Sequence, residues 1–429
     1  MRYSIVTFGC RVNQADSLRL EEDLRARGGA ESRPDAADVV IVNTCSVTAA
    51  ADQGARQTIR RVARDNPAAK IVVTGCYATR CATDIEQLPG VVRVVRNDAK
   101  LGIVDWLEAS GEWTTSTRFG DGAGPCGSAI EPGAAGRTCF TLRVQTGCEE
   151  RCSYCIIPTT RGRSRSLAIG EVIRDVERAA AAGYKEIALT GVHLGSYGRD
   201  LDPAASLADL LRALARLDTD ATFRVSSLEP MDCTPEIVEL VASSGGRFAP
   251  HFHLPLQHAS DGVLQRMRRP YTLDYYRRLA DSIVGRLPHA SIGTDVIVGF
   301  PGEMEADFAS NASYLAASPL SHLHVFPYSD RPGTEAASLS GKVPGPVVRE
   351  RGARLRQIGA ELSARFRQSQ VGTVRPGLTL EDGTLVVTDN YLKVRIPAGL
   401  KRNERVRVRL TSASTGLVVD RTDDDSLER

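Results

Sequence analysis

The sequence predicts an α/β protein in three parts: an N-terminal parallel α/β sheet domain (residues 1–115), a central partial (βα)6 barrel (137–368) and a small C-terminal antiparallel β-barrel (369–429). Three observations predict it. Apolar runs alternate with helical patterns through the first part, the same alternation recurs six times through the second, and short period-two strands replace it in the third. At 429 residues the chain is also too long for one hydrophobic core.

In the first part Ser4–Phe8, Val39–Asn43, Lys70–Thr74 and Val91–Val95 read as strands, with helical patterns at Leu18–Arg27 and Ala49–Ala63. A parallel sheet covered by helices gathers ligands at the carboxyl ends of its strands. The first three strands each end in a cysteine: Cys10, Cys45 and Cys76. That placement predicts a three-cysteine site at one sheet edge; the competing reading is three ordinary buried thiols. Gly9 and Gly75, lacking Cβ, allow close approach of the backbone, and Asn13 and Asn43 are candidates for hydrogen bonds around the site. Cys81 reads as a spare thiol on the following helix, with a role as ligand left open.

Gly111–Gly136 is rich in Gly, Ser, Thr, Ala and Pro without periodicity, a connection that contains a domain boundary and a non-functional Cys126. Six βα units follow, with strands at Phe140–Val144, Glu186–Thr190, Thr222–Ser226, His251–Leu256, Ser291–Val298 and His322–Phe326. Barrels of this kind place their chemistry in the loops at the carboxyl ends of the strands.

Behind the first strand lies Cys148-x3-Cys152-x2-Cys155. Three thiolates packed this closely hold three corners of a cubane iron–sulfur cluster. Cluster thiolates usually come in fours, so the fourth iron is left for a substrate or cofactor. A structural zinc site is the alternative, although it needs four ligands at another spacing. Behind the second strand Gly191 lets the amino-acid end of a ligand lie against backbone; Glu229 follows the third strand and Gln257 the fourth. Each also has a local reading, since Gly and Pro end strands everywhere and Glu229 can cap a helix. His193 and His258 read as loop hydrogen-bonders, because nothing pairs them with a nucleophile. Val347–Gln370 reads as one arginine-rich amphipathic helix with a solvated face, phosphate contact being open.

The tail shows strands at Leu385–Thr388, Tyr391–Ile396, Arg405–Leu410 and Leu417–Asp420, ending in a frayed acidic Asp423–Asp425. Lys393, Arg395, Arg405, Arg407 and Arg409 alternate with apolar residues, so each strand turns its basic residues to one face. With Tyr391 nearby this face suits a folded RNA; a plain solvated face is the other reading.

With 42% hydrophobic and 25% charged residues the composition is that of an ordinary soluble protein. No apolar run approaches a membrane span and no cleavable signal is evident, so the cytoplasm is expected, with no membrane partner. There the ten cysteines are metal ligands or buried thiols rather than disulfides. The formal net charge of +2 leaves a nucleic-acid partner open, because a basic surface can be local.

The order of parts resembles the methylthiotransferase family of radical S-adenosylmethionine enzymes, whose C-terminal RNA-binding barrel is called TRAM. The resemblance rests on Gly9-Cys10-Arg11-Val12-Asn13-Gln14, Asn43-Thr44-Cys45-Ser46-Val47-Thr48, Thr74-Gly75-Cys76-Tyr77-Ala78, Gly147 to Cys155 running on to Arg161-Gly162, His253-Leu254-Pro255-Leu256-Gln257, and Gly293 through Glu303. It implies two 4Fe-4S clusters, an auxiliary one on Cys10, Cys45 and Cys76 and a radical one on Cys148, Cys152 and Cys155. It also implies S-adenosylmethionine as cofactor, with Tyr154 in the aromatic place of the C-x3-C-x-aromatic-C signature and with Gly191, Glu229 and Gln257 as cofactor-binding residues. The reaction implied replaces hydrogen by a methylthio group.

Cys10 to Gln14 look most like the branch acting on N6-threonylcarbamoyladenosine beside the tRNA anticodon (t6A37), the other branches acting on isopentenyladenosine or on a ribosomal-protein aspartate. Implied partners are the tRNA anticodon loop, a low-potential electron donor such as flavodoxin or ferredoxin, and a sulfur donor. His258-Ala259-Ser260 and the short final barrel depart from the family pattern. Two further readings compete: an RNA-binding or redox-sensing protein with structural clusters, and a radical enzyme whose auxiliary cluster relays electrons.

Overall fold

The computed structural model describes residues 1–111, Pro132 and 138–421. Cys126 and the acidic Asp423–Asp425 lie outside the described residues.

Strands β1 (Arg2–Thr7), β2 (Ala30–Glu31), β3 (Val39–Thr44), β4 (Lys70–Gly75) and β5 (Val91–Val95) form one parallel sheet in the order β2-β1-β3-β4-β5. Central β3 is buried at all six positions because both faces are covered. Val40 and Val42 pack with Ala55 and Ile59 of the helix Ala49–Asp65, while Val39 and Ile41 pack with Leu20 and Leu24 of the helix Arg11–Ala26. Alternate β-branched residues thus serve two layers. The Thr48 hydroxyl accepts from the Ala51 amide and starts the second helix, which confines Cys45 to the short loop between them.

The central part contains β6 (Phe140–Arg143), β7 (Gln145–Thr146), β8 (Arg165–Ser166), β9 (Glu186–Thr190), β10 (Thr222–Val225), β11 (His251–His253), β12 (Ser291–Val298) and β13 (His322–Pro327). Six of these run parallel in sequence order, as β6-β9-β10 and β11-β12-β13. A bridge between Phe223 and Phe248 and the Leu228 N–H donating to the His253 carbonyl join the two triplets of strands into an open partial barrel. Val296 and Val298 of β12 face the helices, packing in the same core as Leu315, Leu355 and Ile358, while Asp295 lies on the opposite, helix-free face. The β7–β8 ribbon clamps the base of the cysteine loop.

The tail is a curled antiparallel sheet of β14 (Val374–Leu380), β15 (Leu385–Thr388), β16 (Lys393–Arg395), β17 (Arg405–Leu410) and β18 (Gly416–Arg421), ordered β16-β15-β14-β17-β18. The central strand β14 is absent from the expected set. Pro376-Gly377 interrupts its apolar pattern, yet Pro376 needs no ladder donor where it pairs with Arg407. A Cβ on Gly377 would stand 2.5 Å from Val386 Cγ1, so the curl requires glycine there.

Two expectations about basic and aromatic residues are corrected. On the helix Gly345–Ser369 several arginines are structural rather than solvated: Arg351 is buried between Glu303 (2.9 Å) and Glu305 (2.8 Å), and Arg367 donates to the Ala413 carbonyl. Tyr391 pins the tail: its ring stacks on His251 at 4.4 Å, its hydroxyl accepts from Arg11 at 2.9 Å, and buried Arg224 lies over it while donating to the Asp389 carbonyl. Arg405 likewise reaches back to the Asp220 carbonyl, which leaves Lys393, Arg395, Arg407 and Arg409 as the exposed basic face.

The first sheet meets the central part through one buried ion cluster. Asp16, on the helix behind Cys10, accepts from Lys100 (2.8 Å), Arg143 (2.6 Å) and Arg161 (3.3 Å). Burial raises its carboxyl pKa, but the three cations outweigh this and hold it down at about 2. Asp16→Ala leaves Lys100 and Arg161 buried without their carboxylate and should lower unfolding free energy by about 3–5 kcal/mol in denaturant titration. Because the folded pKa lies below the unfolded value of about 3.9, the Asp16 contribution is complete above that pH and lost as pH falls toward 2. Wild type should therefore lose about 2 kcal/mol more than Asp16→Asn across that window.

Candidate active site

Each cysteine of the first triplet follows a strand for a local reason. Cys10 caps the helix Arg11–Ala26 and is exposed, Cys45 is buried in the loop after β3, and Cys76 opens the short helix Cys76–Arg80. Gly75 (φ +101°) turns the chain between them where a Cβ would lie 2.2 Å from the Thr44 carbonyl oxygen. Gly9 (φ +91°) leaves room for Cys45, whose Sγ would stand 2.5 Å from an added Cβ. The three thiols converge: burial pushes the Cys45 pKa up to about 11, with Cys10 and Cys76 adding to the rise.

Asn13 and Asn43 brace this edge without donating to sulfur. Asn13 Nδ2 donates to the carbonyls of Phe8 and Thr44, both at 2.9 Å, and Asn43 Nδ2 donates to the Asn13 carbonyl at 2.8 Å. The amide near sulfur is one that sequence reasoning missed, Asn97, with Nδ2 3.5 Å from Cys76 Sγ and 2.9 Å from the Thr160 carbonyl. Cys81 sits apart among Arg80, Asp52 and Arg56.

The second triplet occupies the loop closed by β7 and β8. Gly147 (φ +79°) makes the turn before Cys148, where a Cβ would fall 1.8 Å from the Arg163 carbonyl oxygen. Cys148 Sγ lies 3.8 Å from His193 Nδ1, and His193 Nε2 is 2.7 Å from Asp232. Burial alone would depress the His193 pKa; Asp232 and Cys148 overcome it and raise it to about 10. Cys152 Sγ is 3.1 Å from Arg269 Nη1, and the same guanidinium pairs with Glu229 and donates to the Tyr271 hydroxyl at 3.0 Å. Burial holds the Cys155 thiol up at about 12.

The other expected residues surround this loop. Tyr154 meets Phe300 edge-on, with ring centroids 6.5 Å apart. Gln257 is held at φ +67°, its amide donating to the Asp295 carbonyl and its carbonyl accepting from Ile297, an uncommon backbone state for a residue with a side chain. Beside Gly191 lies Gln145, whose Oε1 would stand 2.8 Å from an added Cβ and accepts from the His193 amide. His258 is fully buried, its Nδ1 accepting from the Ser260 amide.

Arg161 links the triplets. It ends the short helix Ile157–Arg161, six residues after Cys155, and donates to Asn13 and Asp16 of the first sheet. Burial works against its charge, and Cys76, Asp16 and Cys10 together restore it. A guanidinium thus stands beside each triplet and offsets part of the cost that burial places on a thiolate there. The all-sulfur donors and the flanking cations fit an iron–sulfur cluster at each triplet.

Comparison with known proteins agrees with this architecture. Residues 2–96 match the model of Uncharacterized protein family UPF0004 and residues 142–315 that of the Radical SAM superfamily. Threonylcarbamoyladenosine tRNA methylthiotransferase MtaB of Aquifex aeolicus is 34% identical over 95% of this chain and 100% of its own length. The protein of that name from Bacillus subtilis is 36% identical, covering 90% of this chain and 88% of its own. The tRNA-2-methylthio-N(6)-dimethylallyladenosine synthase of Parafrankia sp. is 35% identical over 86% of this chain and 76% of its own. Among solved structures the radical S-adenosylmethionine methyltransferase TsrM from Kitasatospora setae shares the fold, with TM-score 0.55 at 16% identity over 78% of this chain and 77% of that one. Two sulfur triplets on the expected folds and relatives matched over most of their length place the chain in one family: it belongs to the methylthiotransferases of the radical S-adenosylmethionine class.

Proposed function

We propose that this protein adds a methylthio group to C2 of N6-threonylcarbamoyladenosine at position 37 of tRNA. The family supplies the reaction class, a radical S-adenosylmethionine tRNA methylthiotransferase that uses S-adenosylmethionine and [4Fe-4S] clusters. The observation that carries the reading is the pair of triplets on separate sheets, bridged by Arg161. One set of thiolates serves radical chemistry; a second, on a separate sheet beside it, gives sulfur a place to wait. Support for the threonylcarbamoyl substrate comes from relatives of that name at 31–36% identity.

In this reading Cys148, Cys152 and Cys155 hold the cluster that binds S-adenosylmethionine, and Cys10, Cys45 and Cys76 the auxiliary cluster. When bound, the cofactor and clusters supply the methyl group, the sulfur and the radical that activates the C–H bond. The chain's own residues position and screen. Arg269 donates to Cys152 and fixes Glu229 at the edge of the cofactor site. Tyr154 and Phe300 form an apolar wall, and the left-handed Gln257 is fixed against β12 by its backbone bonds to Asp295 and Ile297. Gly191 acts through Gln145, which holds the His193 backbone beside Cys148.

The exposed basic face of β16 and β17 is suited to the RNA backbone outside the anticodon loop. A low-potential donor such as flavodoxin or ferredoxin supplies electrons, and a separate donor renews the sulfur. No helix among the described residues is long and apolar enough to cross a membrane, and the described cysteines are all free, in keeping with work on tRNA in the cytoplasm. A second reading, methylthiolation of isopentenyladenosine 37, draws on relatives named dimethylallyladenosine synthases at 32–35% identity.

Nucleoside mass spectrometry of total tRNA from cells with and without the gene tests the substrate. The methylthio form of threonylcarbamoyladenosine should vanish on deletion while its precursor accumulates; its persistence would end the proposal, and loss of a methylthio isopentenyl nucleoside would favour the second reading. Complementation by Cys152→Ala or by Cys45→Ala should fail. In purified reconstituted protein, Cys45→Ala should still cleave S-adenosylmethionine whereas Cys152→Ala should not, which separates the two sulfur sites.

A further inference from the structure

The helix-free face of β11, β12 and β13 carries an unusual row of imidazoles: His251 and His253, then His322 and His324, with Asp295 between them in register with His324. Asp295 Oδ1 is 3.0 Å from both His253 Nε2 and His324 Nδ1, and Ser227 Oγ is 2.7 Å from His253 Nδ1. Gly293 is required beneath them, since a Cβ there would lie 2.1 Å from His322 Nε2.

Two features mark this row as a site rather than packing. His251 is only 6% exposed, yet neither of its ring nitrogens has a hydrogen-bond partner among the described residues. A buried polar group left unpaired costs free energy that a ligand can recover. Arg11, the residue after Cys10, closes over the row from the first sheet; it hydrogen-bonds the Tyr391 hydroxyl and, among the described residues, has no carboxylate within ion-pair distance, Glu186 feeling its charge from farther off. Burial, then Arg224, His322 and Arg11, hold the His251 pKa well below the ordinary imidazole value, so the pocket resists a further positive charge and suits an anion.

Along the same face toward the cysteine loop the character changes. Ile297 packs in the cluster that contains Tyr154, and Phe326, beside it in register, is 38% exposed. The face therefore runs from an apolar end near the Cys148–Cys155 loop to a polar end under Arg11. A planar base carrying a long anionic arm has that shape and polarity. An isopentenyl arm does not.

Resting on the threonylcarbamoyladenosine reading, we propose that Arg11 and His324 bind the carboxylate of the threonyl arm, with His251 taking a further polar group of that arm, and that this pocket selects an anionic arm over an apolar one. A site built around such partners rejects a substrate lacking them, because its buried polar groups are then left unpaired.

The test uses the full-length reconstituted protein and three anticodon stem-loops, bearing threonylcarbamoyladenosine, its carboxylate methyl ester, or isopentenyladenosine. Binding is read by fluorescence anisotropy and methylthio product by mass spectrometry, with iron content of each variant as the check on intact sulfur sites. Wild type should prefer the acid to the ester by about tenfold or more, the expected effect of one charge-assisted contact. Arg11→Gln should bring that ratio close to one, Arg11→Lys should recover part of it, and His324→Gln, at a half-exposed position, should reduce it. If wild type modifies the acid loop but shows no preference over the ester, or if Arg11→Gln keeps the preference, the pocket assignment is wrong and the substrate reading stands. If wild type modifies only the isopentenyl loop, both fall together.

Discussion

Burying Asp16 among Lys100, Arg143 and Arg161 sets three positive charges against one negative at the contact on which the two-centre arrangement depends. An excess of buried cations is unfavourable by itself. Cys76 neighbours both Lys100 and Arg161, which places the excess positive charge of this contact directly beside the first triplet. If the first triplet holds the auxiliary cluster proposed above, its negative charge would offset those cations, and docking of the first sheet and loading of that site would be linked. Metal that requires thiolate ligands stabilises the state in which they are already paired with nearby cations.

A second polar hub holds the tail. Arg224, Tyr391 and His251 stack across the junction of all three sheets, with Arg11 on the outer side. The same Tyr391 hydroxyl that orients Arg11 thereby ties the curled sheet to the amino ends of the barrel strands. A second ion cluster, Asp52 with Arg80 (2.5 Å) and Arg331 (2.7 Å), closes the opposite side of the contact between the first sheet and the core. Many of the basic residues that look like an RNA surface in the sequence are in fact structural joints, and a narrower strip remains for backbone phosphates.

The parts of this molecule that follow a local period were legible in the sequence. All four larger strands of the first sheet, all six of the barrel and the cysteines behind them follow from alternation and strand-end placement. Strand β14 escaped because Pro376-Gly377 breaks its pattern, a conflict that tertiary pairing overrides. The position of Glu229 and Gln257 after barrel strands was legible, but their partners were not. Arg269 reaches Cys152 across 117 residues, and Arg161 reaches Asn13 across 148. Contacts of that span have no period, and an arginine in a helix or loop carries no mark of the carboxylate or sulfur it will meet. At Gly191 glycine signals close approach, but the sequence cannot name Gln145 as one of the groups that approach it.

The helix Ile157–Arg161 has one consequence for how the two sulfur sites can drift in the course of sequence change. Five helical residues span about 7.5 Å. Because Cys155 lies just before that helix and Arg161, with its contacts to Asn13 and Asp16, ends it, the helix acts as a ruler between the sites. Insertions in the long connection after Gly111 leave that ruler untouched, whereas one residue added between Cys155 and Arg161 would rotate the guanidinium by about 100°. The covalent spacing of this short segment, more than the area of the contact around it, sets how far apart two reaction centres built on separate sheets can sit.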